Sequence, residues 1–388
     1  MAKVSDLGNS VNERLASPAS SASIPIGVAA RRTRVADKWL LSSAVQKLIR
    51  RGQSERAVKA ALQLHHIDPG YLPRRLPIIA LEDVGIADLI LCFDVLHALG
   101  VQGFRSAAKG SEQRRVLANL VSRLALSIKS RSACDIFCLA HADRVASIAA
   151  AKFFRSSERG LVEIATDRRA SLTSRALSLH LLSGMSVEEG RWHRSVSRFN
   201  GGAVSEVAKR LELPEIITCL MVEGRNTDGL AAMLPLVLEA VADGTELRIK
   251  YSEVRQGLSR ERPILGLPAF SVDMYTRVGK KAIAEFSRTI LERHPHLFAA
   301  VPDVRQHAKI MEMAIFHAEG SKLDRWLENK TLAEYRERIE QAELRALGLP
   351  DPASRLQLYR ILEAEGQLLW QIRQSHLRAA LGKDRRAT

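Results

Sequence analysis

The sequence predicts an all-α fold, and three observations carry that expectation. Apolar residues recur at spacings of three and four along most of the chain. Stretches that alternate apolar and polar residues, as a half-buried strand requires, are scarce. Helix start and stop signals bracket several of the periodic segments. With 388 residues and 46% apolar content the chain can bury a sizeable core, and its length suggests two or three domains. No repeat at a fixed period stands out, which removes the simple solenoid families.

Residues 1–36 read as a flexible basic arm. "LASPASSASIPIG" offers too little apolar surface to offset its ordering entropy, and Arg31, Arg32 and Arg34 close the arm with a cluster suited to phosphate or to solvent. From Asp37, "VADKWLLSSAVQKLIRRGQ" places Trp39, Leu40, Ala44, Val45 and Leu48 on one face and stops at Arg50, Arg51 and Gly52. A second helix opens at Ser54, and "DPG" at 68–70 punctuates before a third. The helical pattern continues through 86–99, 112–129, 132–154, 169–183 and 203–242. One extended piece is expected, "TELRIKYSEV" at 245–254, where Leu247, Ile249 and Tyr251 alternate with charged residues. Prolines 263 and 268 make 256–271 a loop or an interdomain connection. Helices follow at 271–293, 304–318, 331–346 and 353–381, before a basic tail at 382–388. The expected domains are 37–155, helical and collar-like, and 156–388, a second helical domain.

Lysine plus arginine outnumber aspartate plus glutamate by 58 to 43, giving a net charge of +15. That excess favours an anionic partner such as nucleic acid or a charged membrane surface, and charge alone does not choose between them. No apolar run reaches the ~18 residues of a membrane span, and the first residues lack the apolar core of a secretory signal, so no membrane and a cytoplasmic location are expected. Cys92, Cys134, Cys138 and Cys219 lie in apolar stretches without disulfide-framework spacing, which implies a reduced compartment. Cys134, Cys138 and His141 share one helix and are poorly placed to surround a tetrahedral ion, so no metal and no cofactor are expected. His65 and His66 point about 100° apart on a helix, as residues of a helix end rather than joint ligands.

No P-loop, nucleophile elbow, metalloprotease helix or strand-linked dinucleotide fingerprint is present. The "FSVDMYTRVGKKAIAEFSR" stretch, 270–288, sets Asp273, Arg277, Lys280 and Lys281 along one helical face. Arg277, Lys280 and Lys281 are candidate phosphate contacts, together with Arg385 and Arg386 of the tail; an intrahelical salt bridge from Asp273 is the plainer alternative. The two-helix unit at 203–224 has the outline of a helix-turn-helix. Its second helix, Glu215 to Val222, carries no Arg, Lys, Asn or Gln to read base edges.

Ser43, Ala44, Lys47, Arg50, Arg51 and Gly52 form one group of residues. Arg74, Arg75, Leu76, Ala80, Glu82, Asp83, Gly85, Ala87 and Asp88 form a second, and Lys129 with Ser130 ends a third segment, "LANLVSRLALSIKS". Together, over about 38–145, they resemble the helical C-terminal region of the replication-associated recombination ATPases, the RarA/MgsA family. In that family the region follows a AAA+ motor, and here a short polar arm precedes it. The resemblance therefore implies a collar that packs and oligomerises subunits, not ATP hydrolysis. It also implies single-stranded-DNA-binding protein or a AAA+ ATPase as partners. Read physically, Arg74 and Arg75 pair with carboxylates or helix ends. Glu82 and Asp83 close a helix before Gly85, a left-handed C′ residue, and Asp88 caps the next helix.

The resulting expectation is a non-enzymatic, basic, DNA-associated accessory protein of replication, recombination or mobile-element maintenance, with a homo-oligomer as its form. A rival is an enzyme acting on a phosphate- or sugar-containing substrate, its site assembled from Asp273, Arg277 and Lys280 with His317 and Glu319. A third reading is an interaction module that modulates a AAA+ ATPase.

Overall fold

The computed structural model describes residues 11, 37–100, 110–142, 156–188, 191–194, 201–224, 227, 229–252, 263–299, 301, 303–349 and 351–384. The fold is all-α, as expected, and among the described residues only short two-stranded pairings stand beside the helices. The first helices are α1 (Lys38–Arg50), α2 (Ser54–Ile67), α3 (Tyr71–Ile79), α4 (Leu89–Gly100), α5 (Ser111–Leu126) and α6 (Ser132–Ala142). Next come α7 (Glu158–Thr166), α8 (Leu172–Leu182), the hairpin β1 (Met185–Glu188) and β2 (Arg191–Arg194), α9 (Gly201–Arg210), α10 (Glu215–Glu223) and α11 (Leu234–Val241). The chain continues through β3 (Arg248–Tyr251), β4 (Pro263–Ile264), β5 (Leu267–Pro268), α12 (Arg277–Arg293) and α13 (Val304–Ile315). It ends with β6 (Arg325–Glu328), α14 (Lys330–Ala346), α15 (Pro352–Ala364) and α16 (Gly366–Asp384).

The contacts group the described residues into two units. A central unit gathers Pro73–Lys250 and Arg325–Ala342, and a terminal unit gathers 37–72, Tyr251–Asp324 and 343–384. Each unit is built from separate stretches of chain, whereas the expected domains were contiguous. The boundary expected near residue 155 lies outside the described residues.

Within the central unit the long periodic run 203–242 is three helices, because Pro214 stands at the N-cap of α10 and Gly224 at its C-cap. Helix α7, capped by Ser157 on the Gly160 amide, and the β1–β2 hairpin were not anticipated. The expected extended piece is β3, and its partner is β6. Lys129 extends that pairing: its amide donates to Arg325 O at 3.1 Å, and its carbonyl accepts from Leu327 N at 2.9 Å. The Lys129 ammonium, buried, donates at 2.8 Å to Ala125 O at the C-terminus of α5, where a cation suits the helix dipole.

The terminal unit has its own apolar core. Ala282, Ile283, Phe286 and Ile290 of α12 pack with Ile310, Met311 and Ala314 of α13 and with Leu358, Leu362, Leu369 and Ile372 of α15 and α16. Helix α1 starts at Asp37, whose carboxylate accepts from the amides of Trp39 at 2.8 Å and Leu40 at 3.3 Å. Leu40, Ala44, Val45 and Leu48 are buried as the spacing predicts, while Trp39 of the same set is half exposed and edge-on to Tyr71. The expected loop at 256–271 is, where described, the tight β4–β5 hairpin and a 3₁₀ turn, Ala269–Ser271.

Among the described residues no helix is long and apolar enough to cross a membrane.

Candidate nucleic-acid interface

Helix α12 begins later than its periodicity suggests. Thr276 takes extended geometry and its hydroxyl accepts from the Gly279 amide at 3.0 Å, so Thr276 is the N-cap and Arg277 the first helical residue. Asp273 therefore lies outside the helix, in a turn where its side chain accepts from the Tyr275 amide at 3.1 Å. A Cβ at Gly279 would overlap the Asp273 backbone, so the close approach of turn and helix needs glycine there.

The consequence is a face of α12 whose charged residues are all cations, with Ala284 between them. Ala282, Ile283, Phe286 and Ile290 turn inward, while Arg277, Lys280, Lys281 and Arg288 are all exposed. At 100° per residue these four fall within a sector of about 100°, and they span about 16 Å along the axis. None of the four makes an ion pair with a described carboxylate, and Asp273, the partner the spacing suggested, is engaged elsewhere. Arg288 was missed by the sequence reading. Its signal is the spacing of four and then seven from Arg277 to Lys281 to Arg288, which keeps the three on one face.

Asp273 is instead in a buried ion pair with Lys47 of α1, and Lys47 also donates to Ser43 Oγ at 2.8 Å. Burial pulls the Lys47 ammonium below the usual lysine range, against the opposing pull of Asp273. A second buried pair stands beside it. Arg373 of α16, 0% exposed, donates through Nη1 to Glu319 at 2.8 Å, and Glu319 is 2% exposed. Glu319 belongs to a π-helical turn, Phe316–Gly320, that follows α13. Arg50 and Arg51 at the end of α1 reach the carbonyls of that turn, Arg50 to Gly320 O at 2.7 Å and Arg51 to Glu319 O at 2.8 Å.

Asp273, Glu312, Glu319 and Arg373 line a small cleft with Phe270, Met274 and Phe316. Two of the five residues of the rival enzymatic set, Asp273 and Glu319, thus meet in one place. Arg277 and Lys280 face solvent, and His317 Nε2 lies 2.8 Å from Glu343 Oε2. Each of the two carboxylates that meet already holds a buried cation, so neither is set up as a general base. Glu312 is the lining carboxyl without such a partner at close range. Burial holds it above the usual range, opposed by Lys280 and Lys309.

The second and third groups of signature residues come together in the central unit. Arg131 Nη1 lies 3.4 Å from Asp83 Oδ1 and 3.7 Å from Glu82 Oε1, while Arg75 approaches Glu82 at 3.5 Å. Ser130 N donates to Asp83 O at 2.9 Å. Arg74 is exposed. Helix α3 contains Pro77 and widens into a π-helical turn, Ala80–Val84, before Gly85. Gly85 has φ 49° and ψ −127°, which corrects the expected left-handed C′ geometry: φ is positive but ψ is far from the left-handed helix. A Cβ there would lie 3.1 Å from Ser130 O, so the same contact that joins the two segments excludes a side chain. Asp88 caps α4 as expected, accepting from Leu91 N at 2.9 Å.

Arg31, Arg32, Arg34, Arg385 and Arg386 lie outside the described residues, as does the side chain of His141. His65 is buried and His66 exposed, consistent with their divergence on α2. Helix α10, the second helix of the turn unit, buries Ile217, Leu220 and Met221. Among the described residues no group of three metal-ligating side chains is assembled. No family model, no curated protein and no solved structure matches the chain.

Proposed function

We propose that this protein is a non-enzymatic DNA-associated accessory factor that grips the phosphate backbone with the exposed face of α12. The observation that carries the reading is the row of Arg277, Lys280, Lys281 and Arg288 on one helix, none within ion-pair distance of a carboxylate among the described residues. Cations spaced along a helix match a polyanion by releasing its counterions, and such contacts carry no base specificity. The excess of +15 supports the same partner class. The resemblance of 38–145 to the recombination-ATPase collar supports a place in replication, recombination or mobile-element maintenance. Single-stranded-DNA-binding protein or a AAA+ ATPase is the matching protein partner, with a homo-oligomer as the working form.

The test is a salt titration of binding to duplex and single-stranded DNA. Four phosphate contacts contribute roughly 3 to 4 to the slope of log K against log salt on duplex. Replacing Arg277, Lys280, Lys281 and Arg288 together by alanine should remove about that much of the slope while leaving thermal stability within a few degrees. A flat salt response in the native chain, or an unchanged slope in the fourfold variant, would overturn the assignment.

A further inference from the structure

Helix α6 presents two thiols one turn apart, and nothing in the proposed interface uses them. Cys134 Sγ and Cys138 Sγ are 3.9 Å apart. All four cysteines are thiols in the structure, and their settings differ. Cys92 is fully buried, its Sγ 3.3 Å from Ala80 O, and burial pushes its thiol far above the ordinary range. Cys219 is also pushed up, by burial first and then by Glu215 and Glu223. Cys134 lies beside a cation: Arg131 Nη2 donates to its sulfur at 3.4 Å. Cys134 is 8% exposed and Cys138 more so, which leaves Cys138 as the sulfur a reagent meets first.

We infer that Cys134 and Cys138 form a reversible dithiol–disulfide site, closed by exchange with a low-molecular-weight disulfide. The Cys138 thiolate attacks one sulfur of the small disulfide; the S–S bond breaks, one small thiolate leaves, and a mixed disulfide remains on Cys138. Cys134, having lost its proton to water, attacks Cys138 Sγ and expels the second small thiolate. Two protein thiols lose two electrons, and one small disulfide becomes two thiols. Side chains at i and i+4 of a helix hold their Cβ atoms about 5–6 Å apart, while a disulfide needs about 3.5–4.5 Å. Closure therefore has to pull the first turn of α6 inward and take from Arg131 its sulfur acceptor, the same arginine that holds Asp83.

Trypsin releases both cysteines on one peptide, 132–144, which has no internal lysine or arginine. The folded protein is treated with oxidised glutathione, then denatured, alkylated and digested for mass spectrometry. The expected result is loss of alkylation on that peptide with a mass lower by two hydrogens than its reduced form, restored by dithiothreitol, while Cys92 and Cys219 stay alkylated. In Cys134→Ser the expected product is a glutathione adduct trapped on Cys138. Full alkylation of 132–144 after oxidation overturns the assignment, as does a bridge from either cysteine to Cys92 or Cys219. An unmodified Cys138 in the variant also overturns it.

Discussion

The two units bury charge in different ways. In the central unit one guanidinium, Arg131, serves Asp83 and Glu82 from the start of the helix that follows Ser130, and Arg75 shares Glu82 from a helix nearby in sequence. In the terminal unit two buried cations each hold one carboxylate from a distant stretch, Lys47 with Asp273, 226 residues apart, and Arg373 with Glu319, 54 apart, while the buried Arg50 donates to Gly320 O. The central unit has one such pair too, Arg175 with Glu239, 64 apart. The contrast is between a guanidinium shared by two carboxylates and cations held one to one; in both, the partners are distant in sequence, Arg131 and Asp83 being 48 residues apart, so the folded chain creates them. It also bears on the candidate interface, because the Lys47–Asp273 pair removes the carboxylate that the spacing offered to Arg277, and so leaves only cations among the charged residues of that α12 face.

The largest effect should come from separating a one-to-one pair. Arg373→Met leaves Glu319 buried without its cation and should cost about 3–5 kcal/mol in urea denaturation, with most of it recovered in Glu319→Leu/Arg373→Met. A single variant as stable as the native chain would mean that buried Glu319 does not depend on Arg373 for its charge. On the central side, Gly85→Ala forces a β-carbon into φ 49°, ψ −127° and against Ser130 O, and should cost about 2 kcal/mol. Wild-type stability in that variant would mean the joint between the two signature segments is not held by backbone contact.

The smallest effect concerns Glu312 at the cleft. Its folded-state pKa is raised above the unfolded reference of 4.5, so the protonated carboxyl is the form the fold favours. The associated stability is fully present below about pH 4.5 and is lost as pH rises through the folded value. Glu312→Gln keeps the shape without the charge. Its melting temperature should exceed that of the native chain by about 1–2 °C at pH 7, and the gap should close at about pH 4. A gap that persists at low pH would place the effect in packing rather than in ionisation.

Much of the helical architecture was legible because helix formation is local. Caps such as Asp37 and Asp88, the inward stripe of α1 and the stop at Gly52 are all decided within a few residues. Three features misled the periodic reading. Thr276 shortened α12, Pro214 and Gly224 divided 203–242, and Gly85 adopted a positive φ outside the left-handed helical region. Strand β6 was invisible because four residues, "RWLE", carry little signal until β3 and Lys129 flank them.

The candidate interface was half legible. Arg277, Lys280 and Lys281 could be named from spacing, yet the same spacing equally allowed Asp273 to neutralise them. Sequence alone determined the fold class, most helix positions, the net positive charge and the residues that make up the "RRL…ED-x-G-x-AD" stretch, since propensity, capping and composition act over short range. Tertiary structure decided which charges are spent on one another. A buried ion pair forms only when desolvation is matched by a partner at hydrogen-bond distance, and nothing in either local sequence says that Lys47 will meet Asp273 or that Arg373 will meet Glu319.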